Sequence, residues 1–205
     1  MRLRLVVCAS VFPLLDLTGC AARSSPASLP PGDWTVVRGP RYTAMIPDTI
    51  AGFAFTGHRV DYPNPALGTM LRYRAADSLA ADVYVYPSPV DGVRCGAPCA
   101  DSLAQSEARS FGMTFTMTQL RTYDSAVVMR PDTLYPAEGE RWLAGSLVRV
   151  RGTRRGRQVA SDFFLFLPPL HYVKVRASYL LRPGTAARVE AFARAAAAGV
   201  MVSGR

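Results

Sequence analysis

Apolar and polar positions alternate most cleanly over residues 171–181. There Val173, Val175, Ala177 and Tyr179 fall on one face, and Lys174, Arg176 and Ser178 on the other. A two-residue period is that of a strand with one covered face. The same period runs through Asp82-Val83-Tyr84-Val85-Tyr86, valines to one side and tyrosines to the other, and more weakly through residues 42–46, which end at Pro47. Residues 52–60, 69–74 and 81–86 read as further strands, broken by Pro63-Asn64-Pro65 and Asp77-Ser78. Residues 114–121, 125–129, 141–151 and 158–167 continue the series, and Gly152-Thr153-Arg154-Arg155-Gly156 reads as a hairpin turn between the last two.

Two stretches switch to a helical period. Ser102 and Gln105 have capping-box spacing, and Ala104, Ala108 and Phe111 recur at i, i+4 and i+7, which predicts a helix over 102–111. Pro183-Gly184-Thr185 starts a closing helix whose stripe is Val189, Phe192, Ala193, Ala196 and Val200, opposite Arg188, Glu190 and Arg194. Hairpin-linked strands with helices laid on a face give an α+β fold, an antiparallel β-sheet packed with helices as an α/β/α sandwich. No internal repeat and no second domain is evident.

The chain starts differently. Arg2 and Arg4 precede a mostly apolar run over 5–17, which has the anatomy of a secretory signal rather than of a membrane span. Leu17-Thr18-Gly19-Cys20 resembles the lipobox of bacterial lipoprotein signal peptides. That resemblance implies cleavage before Cys20, a diacylglycerol thioether on its sulfur and an N-acyl chain such as palmitate. Two or more chains hold a protein on a membrane, because each buried methylene contributes about 0.8 kcal/mol and one chain alone is marginal. Ala21 after the cysteine resembles lipoproteins passed to the outer membrane. Residues 20–33 then form the lipidated cysteine and a tether. Its Ala, Ser, Pro and Gly content buries too little apolar surface to fold. Fully extended, it reaches at most about 45 Å. The expected organisation is thus a signal peptide over 1–19, the tether over 20–33 and one globular domain over 34–205.

The net charge of +9 becomes +8 when Arg2, Arg4 and Asp16 leave with the signal. Lys174 is the only lysine among 24 basic residues. An arginine-rich, alanine-rich composition is that of a GC-rich genome, so basicity alone does not imply phosphate recognition. Outside the cytoplasm nucleic acid is not an expected partner, whereas anionic lipid or polysaccharide is.

The order of elements also resembles the PsbP-like family, which includes an extrinsic photosystem protein, a Ran-binding nuclear-transport factor and assorted bacterial lipoproteins. The residues behind the resemblance are Tyr42-Thr43-Ala44-Met45-Ile46-Pro47, the helix at Ser102 and the hairpin to Phe163-Phe164-Leu165-Phe166. Tyr172-Val173-Lys174-Val175-Arg176-Ala177 and the last helix complete it. It covers most of 40–200, implies docking or assembly rather than catalysis, and supplies no site residues.

Cys95-Gly96-Ala97-Pro98-Cys99 is the most specific internal motif. In an oxidising compartment a pair of cysteines reads first as a disulfide. A loop this short gains only about 2 kcal/mol from closure, so the bond would shape the turn before Ser102 more than hold the fold. The alternative is a copper(I) or thiol-redox site, two thiolates completed by His171. The spacing is similar to that of Sco-type copper chaperones, although no thioredoxin-like βαβ start precedes it. His58 and His171 are the only histidines. Gly-x-Ser-x-Gly, His-Glu-x-x-His and P-loop patterns are absent, and the scattered carboxylates form no acid/base pair, so no enzyme and no cofactor is expected.

Arg149, Arg151, Arg154, Arg155 and Arg157 cluster at one hairpin. They read as a solvated tip that also discourages edge pairing, or as a contact for anionic headgroups, lipopolysaccharide or an acidic partner. Phe163-Phe164-Leu165-Phe166-Leu167 is apolar on both faces, one expected against the core and the other under a helix. The leading expectation is a membrane-anchored envelope lipoprotein with a non-catalytic domain that docks onto an envelope protein. A copper or redox protein and a carrier of a small apolar ligand are the alternatives.

Overall fold

The strands predicted from alternation join edge to edge into one sheet. In the computed structural model, which describes residues 32–39, 42–77, 79–87, 123–140, 145–168 and 171–204, this sheet has nine strands, and every pairing is antiparallel. Along it lie β3 (Thr49–Ile50), β4 (Phe53–Asp61), β5 (Thr69–Ala75), β6 (Ala80–Pro87), β11 (His171–Leu180), β10 (Arg157–Phe166), β9 (Gly145–Arg154) and β7 (Ser125–Val128). The short β8 (Asp132–Leu134) also pairs with β9. A second sheet of three strands sets β2 (Tyr42–Pro47) between β1 (Trp34–Arg38) and β12 (Met201–Gly204). All described residues fall in one compact unit, Gly32–Arg205.

Helix α1 (Thr185–Gly199) covers one face of the large sheet. It buries Val189, Phe192, Ala193, Ala196 and Ala197. Phe192 is 0% exposed, its ring 4.4 Å from that of Phe53 and 5.5 Å from that of Tyr73. Beneath them lie Leu71, Val83, Val85, Phe164, Phe166, Val173, Val175 and Ala177. The small sheet contributes Val37, Tyr42, Ala44 and Ile46 to the same core. Two phenols link the sheets: Tyr42 donates to the Val85 carbonyl (3.1 Å) and Tyr73 to that of Pro47 (2.8 Å).

The alternation in β11 and β6 is realised as read, with Val173, Val175, Ala177 and Tyr179, and Val83 and Val85, all buried on the helix side. The hairpin turn is tighter than its five-residue sequence signal. Strand β9 runs on to Arg154, and only Arg155 and Gly156 turn the chain, at φ 52° and 70°. A two-residue turn matching the sheet's twist requires positive φ at both positions, which glycine tolerates and arginine adopts at some cost. Gly152 sits within β9 for another reason: a Cβ there would come 2.2 Å from the Ser125 carbonyl oxygen of β7.

The helix expected over 102–111, the strand expected over 114–121 and the segment 1–31 lie outside the described residues. Among those described, the architecture is an antiparallel α+β fold with one helical layer. Strands β1, β3, β8 and β12 carry no strong alternation and were not anticipated. In the apolar run, Phe164 and Phe166 enter the main core, while Phe163 joins Val148 and Val150 in a separate cluster flanked by Tyr123 and Ala126. No described helix is long and apolar enough to cross a membrane.

Candidate functional site: a cationic groove

Strand parity divides the five arginines of the hairpin. Arg149 and Arg151 project to the helix side, as Leu147 does, and both are engaged internally. Arg149 pairs with Asp132 and, at 3.5 Å, with Glu190 of α1. Glu190 also holds Arg194 (3.3 Å), which reaches Glu140 (3.2 Å), so the flank of the helix carries an alternating chain of charges. Arg151 donates to Asp162 at 2.5 Å, and Tyr179 donates to the other oxygen of that carboxylate at 2.7 Å. Asp162 is 1% exposed, so this pair satisfies a charge that would otherwise be buried alone. Burial and the hydrogen bond to Asp162 both push the Tyr179 phenol up, so it remains a donor. The expectation that all five arginines present charge outward is therefore corrected: Arg149 and Arg151 are structural.

Arg154, Arg155 and Arg157 are exposed and form no ion pair with a described residue. Arg154 and Arg157 face each other across the hairpin, on the face opposite the helix, with Arg155 in the turn. Asp124 fastens that turn by accepting from the Gly156 amide at 3.1 Å. The three arginines border a groove of about 530 Å³ that Tyr123, Val159, Ser178 and Leu180 also line. Beneath its lining Tyr123 Oη meets Ser161 Oγ at 2.7 Å, and Ser161 Oγ meets Ser178 Oγ at 2.6 Å. Ser161 is 0% exposed and Ser178 exposed, so a buried hydroxyl chain ends at a hydroxyl open to solvent. Guanidinium forks beside hydroxyl donors make a site for carboxylate or phosphate oxygens. Sequence reasoning found the arginines but missed Tyr123, Ser161 and Ser178, which come together only through strand register.

Cys20, Cys95 and Cys99 lie outside the described residues. His58 is exposed on β4. His171, opposite Pro87 at the start of β11, is 4% exposed, and neither ring nitrogen has a hydrogen-bond partner among the described residues. Burial lowers its pKa to about 4, so the ring is neutral near pH 7. Among the described residues no three His, Cys, Asp or Glu side chains gather as metal ligands do.

Fold and groove together define an antiparallel α+β sheet protein with one apolar, helix-covered face and, on the other, a cationic groove beside the buried Val148, Val150 and Phe163 cluster. The chain is similar to the solution structure of cyanobacterial PsbP (CyanoP) from Synechocystis sp. PCC 6803. That match spans 88% of this chain and 99% of that one, at 12% identity and a TM-score of 0.45. At that level no activity and no residue role passes to this chain. No protein-family model matches the sequence, and no curated protein matches it.

Proposed function

We propose that this protein is a lipid-anchored component of a bacterial cell envelope whose domain docks, without catalysis, onto an anionic envelope partner through Arg154, Arg155 and Arg157. The lipobox-like Cys20, the outer-membrane-type Ala21 and the tether-like composition of residues 20–33 support the location. The observation that carries the docking role is the set of three arginines around an open groove that form no ion pair with a described residue, next to two similar arginines committed to the fold. A carrier of an apolar ligand would need an enclosed apolar cavity, whereas this groove is open and sets Arg154, Arg155 and Arg157 around Val159, Ala160 and Leu180. Cys95 and Cys99 are assigned to a disulfide that shapes the loop before Ser102.

Co-sedimentation of the detergent-solubilised mature protein with isolated envelope fragments at rising salt tests this reading. The wild type should be retained, and the triple variant R154A/R155A/R157A released at lower salt, because exposed charge contacts are screened over about 10 Å at 0.1 M. Equal retention of the two at every salt concentration refutes the docking role.

A further inference from the structure

The cationic face extends beyond the hairpin. A second groove of about 250 Å³ lies on it, lined by Arg72, Arg74, Ala80, Asp82, Arg176 and Ser178. Ser178 lines both grooves, so they adjoin across β11. Register places Arg72 beside Asp82, Asp82 beside Arg176, and Ser178 beside Ser161, all on the side away from α1. Acidic groups here are few. Asp82 is held by Arg72 at 2.8 Å and Asp124 by the turn, while Arg74 is exposed and forms no ion pair with a described residue. Free cations therefore stand at both ends, Arg74 on β5 and Arg154, Arg155 and Arg157 at the β9–β10 turn. Strands β6, β11 and β10 lie between β5 and β9, so the ends are separated across the sheet by about 19 Å at roughly 4.8 Å per strand spacing, and Arg154 lies further along β9 than the row of Arg74.

We propose that the two grooves form one track for an extended polyanion, an acidic polysaccharide strand laid from the hairpin tip over Ser178 to Arg74. The inference rests on the docking reading above and names its partner. A single small anion reaches one end of such a track and not the other. Stable seating on a lipid surface takes apolar side chains buried at the headgroup boundary. The aliphatic groups between these arginines, Val159, Ala160 and Leu180, are buried or half-buried in the sheet and do not project to a headgroup boundary, whereas the exposed Ser178 and the ring and phenol of Tyr123 suit the hydroxyls and C–H faces of a sugar chain. Arginine forks then take the carboxylates along the chain.

The experiment is calorimetric titration of the mature protein, held by its own lipid in neutral-lipid nanodiscs, with galacturonic acid monomer, dimer, tetramer and octamer. A flotation assay with phosphatidylglycerol vesicles forms the second arm. The octamer should bind at least about tenfold more tightly than the dimer, because a second contact made by an already bound chain is intramolecular. Arg74→Ala should weaken the octamer about fivefold and leave the dimer unchanged, whereas Arg157→Ala should weaken both. Both substitutions are at exposed positions, and an unchanged melting midpoint verifies the fold. Equal affinities for dimer and octamer, or an octamer affinity indifferent to Arg74→Ala, overturn the track while leaving hairpin docking intact. Vesicle capture without oligomer binding overturns it in favour of a membrane surface. Failure of the hairpin docking itself shows separately, as full envelope retention of R154A/R155A/R157A.

Discussion

Replacing Arg151 by methionine tests the division of the arginine cluster most directly. The substitution keeps most of the side chain's length and apolar contact but removes the guanidinium that donates to Asp162 at 2.5 Å. Asp162 is 1% exposed and then retains, among the described side chains, only the Tyr179 hydroxyl. Removing one partner of a buried ion pair costs about 3–5 kcal/mol, mostly because the other charge stays desolvated. The side chain of Arg151 is 24% exposed, so water relieves part of that penalty, and about 3 kcal/mol is the expected loss. For a domain of this size that lowers the melting midpoint by roughly 6–12 °C. Arg155→Ala, in the same cluster by sequence, should change stability by no more than about 0.5 kcal/mol. Thermal and urea unfolding of both variants, with Arg151→Met/Asp162→Asn closing a double-mutant cycle, provide the measurement. The double variant should recover part of the loss, since no buried charge is then left alone. A midpoint change under about 2 °C for Arg151→Met would refute the assignment of a structural role.

Phe192→Ala, which empties a fully buried ring site against Phe53 and Tyr73, should cost about 3–5 kcal/mol in denaturant titration, and an unchanged midpoint would place α1 outside the core. His171 has a folded pKa lowered to about 4 from 6.5, so the unfolded chain binds the extra proton between those values. Stability should be complete above about pH 6.5 and fall by up to about 3 kcal/mol as pH drops to about 4, a slope that His171→Phe should flatten. Protein purified without reductant should show no free thiol, Cys95 and Cys99 being bonded to each other and Cys20 alkylated by lipid. Two free thiols together with stoichiometric bound copper(I) would replace the disulfide by a metal site. Mass spectrometry should find a diacylglyceryl adduct on Cys20 that Cys20→Ser abolishes.

Strands β11 and β6 and helix α1 were legible in the sequence residue by residue, because a covered sheet face and a buried helix stripe write periods of two and of about 3.6 into the residues that make them. His171 at a strand entry and the turn near Gly156 were legible for the same local reasons. The tertiary structure alone decided β1, β3, β8 and β12, short segments whose backbone groups find partners only in strands distant along the chain, as Val202 does opposite Ala44. It also decided which arginines are available. Parity within β9 separates Arg149 and Arg151 from Arg154, but the meaning of that separation depends on Asp132, Asp162 and Glu190, which register and packing bring to one side of the sheet. The grooves arose in the same way. Tyr123, Ser161 and Ser178 are far apart in sequence; the two serines meet because β10 pairs with β11 in one particular register, which local periodicity does not encode, and packing brings the Tyr123 hydroxyl to Ser161.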